Sequence, residues 1–306
     1  KNQFTFFMRI FRAALACAFL LFLVSALHAQ NTLKDGTSLL WDKEITVGHD
    51  SLRNDTANVA AVTVPVYEAS SSDVMDLLKS QLPGANFKKH GKVLKATGVS
   101  FATASSTPVD ILASVNENKK QRVSTLTLAF LSPGTAISLG GPQVEAAARG
   151  LAVKMNKAVV QCQIDSWRKK LSKASDKADD AIKDHEKAQA ERDKAKAKLG
   201  KTAKEKSKLQ DEHAILQKQI DLDNQKWTLS QNSKDLKALT KSRSKITKNE
   251  TAMAKVMQDE ADIRKDLAKN ADEVPDTQKA KEQKTAEQAE IQRTVDALQH
   301  KLESIR

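Results

Sequence analysis

The stretch DKADDAIKDHEKAQAERDKAK, residues 176–196, carries the clearest structural pattern in this chain. Ala178, Ala181, Ala188 and Ala195 lie in it at steps of three and seven residues. A repeat averaging 3.5 residues is typical of a helix that packs along one narrow seam, as in a left-handed coiled coil. The lysines and carboxylates between the seam positions have the spacing of i,i+4 pairs on a solvated helix surface.

The same seam extends beyond this stretch in both directions. Steps of four and three residues alternate over twenty positions, of which fourteen are apolar or alanine. These positions are Val160, Ile164, Trp167, Leu171, Ala174, Ala178, Ala181, His185, Ala188, Arg192, Ala195, Leu199, Thr202, Lys206, Leu209, His213, Leu216, Ile220, Asp223 and Trp227. They predict an uninterrupted helix of roughly 100 Å, at 1.5 Å per residue. Because one helix cannot bury such a seam alone, it must fold back or pair with another chain.

A second seam near the C-terminus supplies a partner within the same chain. Its positions are Leu239, Ile246, Met253, Val256, Ile263, Leu267 and Val274, then Ile291, Val295, Leu298, Leu302 and Ile305. We therefore predict an antiparallel coiled-coil hairpin over residues 143–306. Its turn is expected near TLSQNS, residues 228–233, with Gly200 as the alternative because glycine often ends helices. Pro275 is expected to break the return helix.

The composition of residues 57–142 differs from that of the hairpin and predicts a small α+β domain. Val- and Thr-rich runs predict strands, and a capped amphipathic run predicts a helix, in the order β-α-β-β-β. The strands are expected at 59–67, 92–102, 109–115 and 122–130, and the helix at 70–82. Pro65 favours an edge position in the first strand, because proline cannot donate a ladder hydrogen bond. Residues 30–56 are mixed and polar and are interpreted as a linker.

Residues 1–29 predict a secretory signal peptide. An apolar run from Ala13 to Leu27 follows two arginines, and a small residue, Ala29, stands near the expected cleavage point. The run has about fifteen residues, fewer than the roughly twenty that span a bilayer. Cleavage would release a periplasmic or secreted chain with no transmembrane segment, in the cell envelope of a Gram-negative bacterium. A retained N-terminal anchor is the alternative.

Cleavage of this signal would leave Cys162 as the single cysteine. A disulfide within the chain is then excluded, and the thiol is either buried or bridges two chains. Burial is the favoured interpretation, because Cys162 shares one helical face with apolar residues that we expect to cover the sheet. These residues are Val144, Ala148, Leu151, Met155 and Ala158.

The chain is basic, with a net charge of +12 at pH 7. Its densest basic run is KAKAKLGKTAKEKSK, residues 194–208, in which Glu205 is the single acidic residue. We take its lysines as a candidate interaction patch, named the lysine patch: Lys194, Lys196, Lys198, Lys201, Lys204, Lys206 and Lys208. Export and scattered aromatic residues argue against nucleic acid, which requires stacking platforms. A solvated lysine face without a partner is the first interpretation. A flexible joint, or a contact with an acidic partner protein or an anionic surface, is the alternative.

Residues for catalysis or metal binding are not apparent in the sequence. The histidines do not form an HExxH pattern, and the glycines near 132–142 lack the order of a phosphate-binding loop. His185 and His213 fall on the seam, where we expect a paired or water-bridged histidine and not a metal ligand. The charged residues of a coiled coil do not form a pocket in which two carboxylates could act together. We therefore predict a protein that is not an enzyme and has no metal or cofactor.

Four segments together resemble a family of uncharacterised secreted proteins from Bacteroidota. They are TPVDILASV (107–115), STLTLAFLSPGTAISLGG (124–141), AAARGLAVKMNKAVV (146–160) and IDLDNQKWTLSQN (220–232). The resemblance covers about residues 57–250, and Thr107 stands where the family pattern has asparagine. It implies placement in the envelope or periplasm, and it implies no activity or functional residue.

These observations favour a non-enzymatic envelope protein, in which the coiled coil serves as a scaffold for interactions with unidentified envelope proteins. Association into a homo-oligomer through the coiled coil is a further possibility left open by the seam. A periplasmic holdase-like chaperone is the first alternative, because helical arms, a β-rich body and positive charge are shared with such chaperones. A basic arm that binds anionic envelope surfaces is the second alternative.

Overall fold

A computed structural model of the chain describes residues 32–54, 57–90, 93–135 and 137–306. The predicted signal peptide, residues 1–29, lies outside these ranges. The chain divides into two compact units. The sheet unit comprises the chain up to Leu171 together with Glu290–Arg306, and the hairpin unit comprises Ser172–Ala289.

An antiparallel sheet forms the sheet unit. Its strands in the described residues are β1 (Gly48–Asn54), β2 (Ala57–Tyr67), β3 (Lys88–His90), β4 (Val93–Val99), β5 (Val109–Asn118), β6 (Val123–Leu131) and β7 (Ser138–Leu139), with helix α1 (Ser71–Gln81) after β2. Their order across the sheet is β1-β2-β6-β5-β4-β3, and β7 pairs with the end of β6. The predicted strands and helix are all present, so the α+β class is confirmed.

The segment that was predicted to be a linker contains β1. This strand pairs with β2, from Gly48 opposite Thr63 to Asn54 opposite Ala57. Leu52 is its one buried residue, so its sequence GHDSLRN lacks the apolar alternation that marks a strand. Backbone hydrogen bonds to β2 hold this edge strand in place of side-chain burial. The linker prediction is therefore wrong for residues 48–54.

Two long helices follow the sheet: α2 (Pro142–Ser230) and α3 (Ser233–Ser304). The chain leaves the helical conformation at Gln231, whose φ of 50° is left-handed. Asn232 is the N-cap of α3, because its Oδ1 accepts a hydrogen bond from the backbone N–H of Asp235 at 2.8 Å. The turn thus falls within the predicted residues 228–233, and Gly200 lies inside α2.

The predicted break at Pro275 is wrong, because α3 continues through this residue. Proline in a helix interior removes one backbone hydrogen bond and costs about 3 kcal/mol. Seam contacts on both sides of Pro275 in the sequence offset this cost. Val274 is buried on the seam, and Oγ1 of Thr277, the next seam position, lies 3.2 Å from Nδ1 of His185 of α2.

The predicted seam is confirmed along its whole length. All twenty positions from Val160 to Trp227 are buried or half-buried, and so are all the predicted positions of the return helix. Alanine is well buried in the middle, with Ala178 at 1% and Ala188 at 3% exposure. The hairpin unit therefore buries its seam within a single chain.

One face of the sheet carries the main core of the sheet unit. Ile111, Leu126, Leu128 and Phe130 are its largest buried strand residues, and the helices α1 and α2 pack on them. The residues that α2 contributes include Val144, Ala148, Leu151 and Met155, as predicted. Leu298 and Ile305, near the C-terminal end of α3, complete the same core. The first and last parts of the chain are thus joined in one core.

Asn156 of α2 closes the open edge of β2. Beyond Thr63, β2 has no partner strand on the β1 side within the described residues, and Pro65 and Tyr67 lie in this part. The Asn156 amide takes the place of a strand: its Nδ2 donates to Pro65 O at 3.0 Å, and its Oδ1 accepts from Tyr67 N at 2.9 Å. Pro65 therefore lies at a local edge, as its sequence predicts.

Candidate functional site

The lysine patch lies on the outer surface of α2 in the hairpin unit. Lys194, Lys196, Lys198, Lys201, Lys204 and Lys208 are exposed, while Lys206 is half-buried. Ala195 is buried between them, so this stretch belongs to the coiled coil and does not behave as a free basic tail.

Lys206 is held in an ion pair across the hairpin. Its Nζ lies 2.8 Å from Oε2 of Glu260, whose other oxygen accepts a hydrogen bond from Arg264 at 2.6 Å. Glu260 has a side-chain exposure of 14%, so both of these bonds are partly shielded from water. Lys206 is therefore occupied by α3, and six of the seven predicted patch lysines remain exposed to a partner.

Carboxylates on α3 partly neutralise the remaining patch. A groove of about 300 Å³ is lined by Lys194 and Lys198 of α2 and by Asp266 and Lys269 of α3. An anionic partner that entered this groove would meet the carboxylate of Asp266 beside the lysines. The local charge balance weakens the patch as a binding site for anions.

Polar pairs between α2 and α3 fix the register of the hairpin unit. Asp223 accepts a hydrogen bond from the hydroxyl of Ser242 at 2.7 Å, and Asn249 donates to the backbone carbonyl of Leu209 at 3.2 Å. Nδ1 of His185 lies 3.2 Å from Oγ1 of Thr277, which gives this buried seam histidine the polar partner that we expected. Such pairs select one alignment of an otherwise repetitive, alanine-rich seam.

His213, the second seam histidine, lies near the acidic side chain of Glu250. Its Nε2 is 3.4 Å from Oε1 of Glu250, and its side chain is 34% exposed. This pair also crosses from α2 to α3 and adds to the register. Both seam histidines thus have structural partners.

A groove that the sequence did not predict lies in the sheet unit. Its volume is about 550 Å³, and it lies between α1, α2 and the segment near Thr37. The residues that give it chemical character are Asp35, Glu68, Asp73, Asp76, Cys162, Gln163, Trp167 and Lys170. They come from four separate parts of the chain, so their spacing in the sequence carries no recognisable motif. The groove is acidic, in contrast to the basic hairpin.

Glu68 connects four segments beside this groove. Its Oε2 accepts hydrogen bonds from Nζ of Lys301 at 2.7 Å and from Nε2 of Gln163 at 2.9 Å, and its Oε1 accepts from the backbone N–H of Ser38 at 3.0 Å. Lys301 also donates to Ser38 O at 2.7 Å, and its side chain is only 1% exposed. The carboxylate of Glu68 and the ammonium of Lys301 therefore find these hydrogen-bond partners within the protein, as in a structural ion pair.

Cys162 lines the groove and is exposed, so the prediction of a buried thiol is wrong. The core face of α2 follows Met155, Val159, Val160 and Ile164 in this region. Cys162 does not lie on this buried face. The buried residues follow a different line along the helix from the one that the sequence pattern predicted. Among the described residues, Cys162 is a free thiol and forms no disulfide.

Other groups at the groove are engaged with their neighbours. Nζ of Lys170 lies 3.8 Å from the ring centroid of Trp167, a cation–π contact. Hydrogen bonds from the backbone and hydroxyl of Thr37 hold the pKa of Asp35 below its ordinary value. These contacts stabilise the walls of the groove.

The ranges that the structure describes contain neither a cluster of metal ligands nor a membrane-spanning helix. Within them, the side chains of His, Cys, Asp and Glu form no group of three or more that could hold a metal ion. No helix within the same ranges has an apolar stretch long enough to cross a bilayer. The apolar run 13–27 lies outside the described residues.

The hairpin unit is expected to lose stability in acid. Bonds from Ser242 and Gln219 lower the pKa of Asp223 below 3.8, and bonds from Lys206 and Arg264 lower the pKa of Glu260 below 4.5. A carboxylate with a lowered pKa in the folded state stabilises the fold above its ordinary pKa. This stabilisation is lost as the pH falls through the lowered value.

Melting curves followed by circular dichroism should therefore shift to lower temperature between about pH 6 and pH 3. The double variant Asp223→Asn/Glu260→Gln should show a smaller shift over the same range. Glu287→Gln serves as a comparison, because the pKa of Glu287 is lowered mainly by Lys284 of the same helix. An acid shift that is unchanged in the double variant would contradict this assignment.

Comparison with protein-family models finds no family that matches the chain, and comparison with curated proteins finds no matching protein. The resemblance to secreted Bacteroidota proteins therefore stays a prediction. The function has to be argued from the residues of the two units.

Proposed function

We propose that this chain is a non-enzymatic protein of the bacterial envelope that serves as an interaction scaffold. Its hairpin unit carries the docking surface, and its sheet unit contains the last residues of the chain, Glu290–Arg306. Periplasmic or secreted placement is part of this proposal and rests on the apolar run 13–27 and on the family resemblance.

The observation that carries the proposal is the burial of the seam within one chain. Every predicted seam position from Val160 to Trp227 is buried or half-buried without a second copy. The outward faces of the hairpin are therefore free for other molecules. In the hairpin unit, α2 alone extends from Ser172 to Ser230, about 90 Å at 1.5 Å per residue. A long and charged two-helix surface of this kind suits docking better than catalysis.

The groove of the sheet unit also favours a structural role. Its central carboxylate, Glu68, has three hydrogen-bond partners, and one of them is the buried ammonium of Lys301. A general acid or base needs a free proton position facing the substrate. Glu68 is instead used to hold segments of the chain together.

Site-specific photo-crosslinking in envelope extracts tests the proposal. A photoreactive amino acid at Lys204 of α2 or at Lys265 of α3, both exposed, should capture a discrete envelope protein. The matched control carries the same group at Lys120, an exposed lysine in the turn after β5 of the sheet unit. Equal capture at all three positions, or at none, would contradict the docking of an envelope protein on the hairpin.

A second assay separates the scaffold from a holdase-like chaperone. An unfolded outer-membrane protein is diluted from denaturant with and without the purified chain, and light scattering is followed. We expect no suppression of aggregation. Suppression at stoichiometric amounts would favour the chaperone over the scaffold.

A further inference from the structure

Three large apolar side chains on α2 are exposed near the turn of the hairpin. Ile215, Leu222 and Leu229 are 67%, 52% and 88% exposed. They are spaced by seven residues, so they lie along one side of the helix. Exposed aliphatic residues in a regular row call for an explanation beyond the burial of the seam.

Heptad positions show which side of the hairpin carries this row. With Ile220 and Trp227 at position a and Asp223 at position d, the three residues Ile215, Leu222 and Leu229 occupy position c. In α3, Leu239 and Ile246 are at position a and Ser242 is at position d. Positions c and g follow d around a helix, so they lie on one side of the seam.

The groove in the middle of the hairpin demonstrates that the c and g positions of both helices share that side. Lys194 at c and Lys198 at g of α2 line it together with Lys269 at c and Asp266 at g of α3. The same side continues to the turn, because the Asp223–Ser242 hydrogen bond keeps the register there.

On this side of the turn region, the c and g positions add five lysines to the apolar row. Lys226 of α2 and Lys234, Lys241, Lys245 and Lys248 of α3 are all exposed. We name these eight residues the tip face: Ile215, Leu222, Lys226, Leu229, Lys234, Lys241, Lys245 and Lys248.

Carboxylates are absent from the c and g positions of residues 213–250. The carboxylates of this range occupy other heptad positions: Asp221 is at b, Asp223 and Asp235 are at d, and Glu250 is at e. Glu212, at position g, marks the end of the tip face on α2. Around the lysine patch, in contrast, Glu205, Asp259 and Asp266 occupy position g and Asp262 occupies position c. The tip face therefore combines apolar side chains with positive charge, and the lysine patch does not.

We infer that the tip face docks on an anionic lipid surface, a contact that goes beyond the protein partner of the proposed function. Leu222 and its neighbours would enter the headgroup boundary, and the lysines would contact lipid phosphates. Successive apolar side chains are about 10 Å apart along the helix, at 1.5 Å per residue. This spacing suits a fluid surface, because protein interfaces concentrate their apolar anchors in one central cluster. A second copy of the chain does not fit, because two such faces would repel each other.

Flotation with lipid vesicles tests the inference on the chain from residue 30 onward, which contains every residue that the structure describes. Vesicles of phosphatidylcholine and phosphatidylglycerol are compared with vesicles of phosphatidylcholine alone, at low and high salt. Binding is expected only with phosphatidylglycerol and should weaken as salt increases.

Two variants test the two components of the tip face. Replacing four of its five lysines, Lys226, Lys241, Lys245 and Lys248, with Gln should weaken binding at least about 100-fold, given about five-fold per lysine at the membrane surface. Ile215→Ser/Leu222→Ser/Leu229→Ser should weaken it at least about 30-fold. The matched control replaces the exposed lysines Lys204, Lys218, Lys265 and Lys279 with Gln, and it should bind like the unchanged chain.

The outcomes separate this inference from the scaffold proposal. Equal loss in the tip and control variants, or no binding by the unchanged chain, would overturn the lipid inference. Crosslinks from Lys204 or Lys265 to an envelope protein would still support the scaffold in that case. Circular dichroism of each variant verifies that the hairpin remains helical, so lost binding is not lost folding.

Discussion

Replacing Lys301 with Met should lower the free energy of unfolding of the sheet unit by about 3–5 kcal/mol. Lys301 is buried, and its ammonium is the cationic partner of Glu68 at 2.7 Å. Methionine has a similar length but leaves the carboxylate of Glu68, 13% exposed, without a counter-charge. Removing one member of a buried pair is costly because the other charge stays away from water.

The double variant Glu68→Gln/Lys301→Met provides the decisive comparison. The amide introduced by Glu68→Gln is neutral and retains an oxygen for the backbone N–H of Ser38, so most of the lost stability should return. Lys279→Met, at an exposed position of α3, should have an effect within about 0.5 kcal/mol. A loss below about 1 kcal/mol for Lys301→Met would mean that water or other donors replace the pair.

Tryptophan fluorescence during urea unfolding can report this effect for the sheet unit alone. Trp41 and Trp167 lie in the sheet unit and pack against its core, while Trp227 lies in the hairpin unit. The measurements are therefore made in a Trp227→Phe background. The two units need not unfold together, and a signal from one unit permits a two-state treatment.

The hairpin was predictable because its signal is local and repeated. Most heptads place an apolar or small residue on the seam, so exceptions such as Lys206 or Asp223 do not obscure the pattern. The turn was predictable for the same reason, since the seam stops and polar residues follow. At Pro275 the local rule failed, because the seam contacts of Val274 and Thr277 outweigh the propensity of one residue.

Contacts between distant segments account for what the sequence did not predict. Lys301 and Glu68 are 233 positions apart, and a lysine in the last turn of a helix ordinarily faces solvent. β3, with the sequence KKH, is exposed at all three residues and exists through its pairing with β4. The groove of the sheet unit likewise combines segments that only the fold brings together. Six lysines of the lysine patch are exposed, as their heptad positions indicate, but the occupation of Lys206 by Glu260 depends on the register of the hairpin.

Replacing Asn156 with Leu should lower the stability of the sheet unit by about 2–4 kcal/mol. Asn156 is 1% exposed, and its amide satisfies Pro65 O and Tyr67 N at the open edge of β2. Leucine is of similar size, so the core is not emptied. The two backbone groups, however, lose their partners, and each unsatisfied buried group costs about 1–3 kcal/mol.

The neighbouring exposed residue supplies the control, because Lys157→Leu places the same side chain one position along α2 and should be nearly neutral. Amide hydrogen exchange distinguishes this explanation from a packing defect. If Asn156 replaces a strand, the N–H of Tyr67 should lose protection in Asn156→Leu, while the N–H groups in the middle of β5 keep theirs. Uniform loss of protection across the sheet would instead indicate that Asn156 acts through the packing of α2. Retained protection at Tyr67 would show that the edge of β2 needs no side-chain partner.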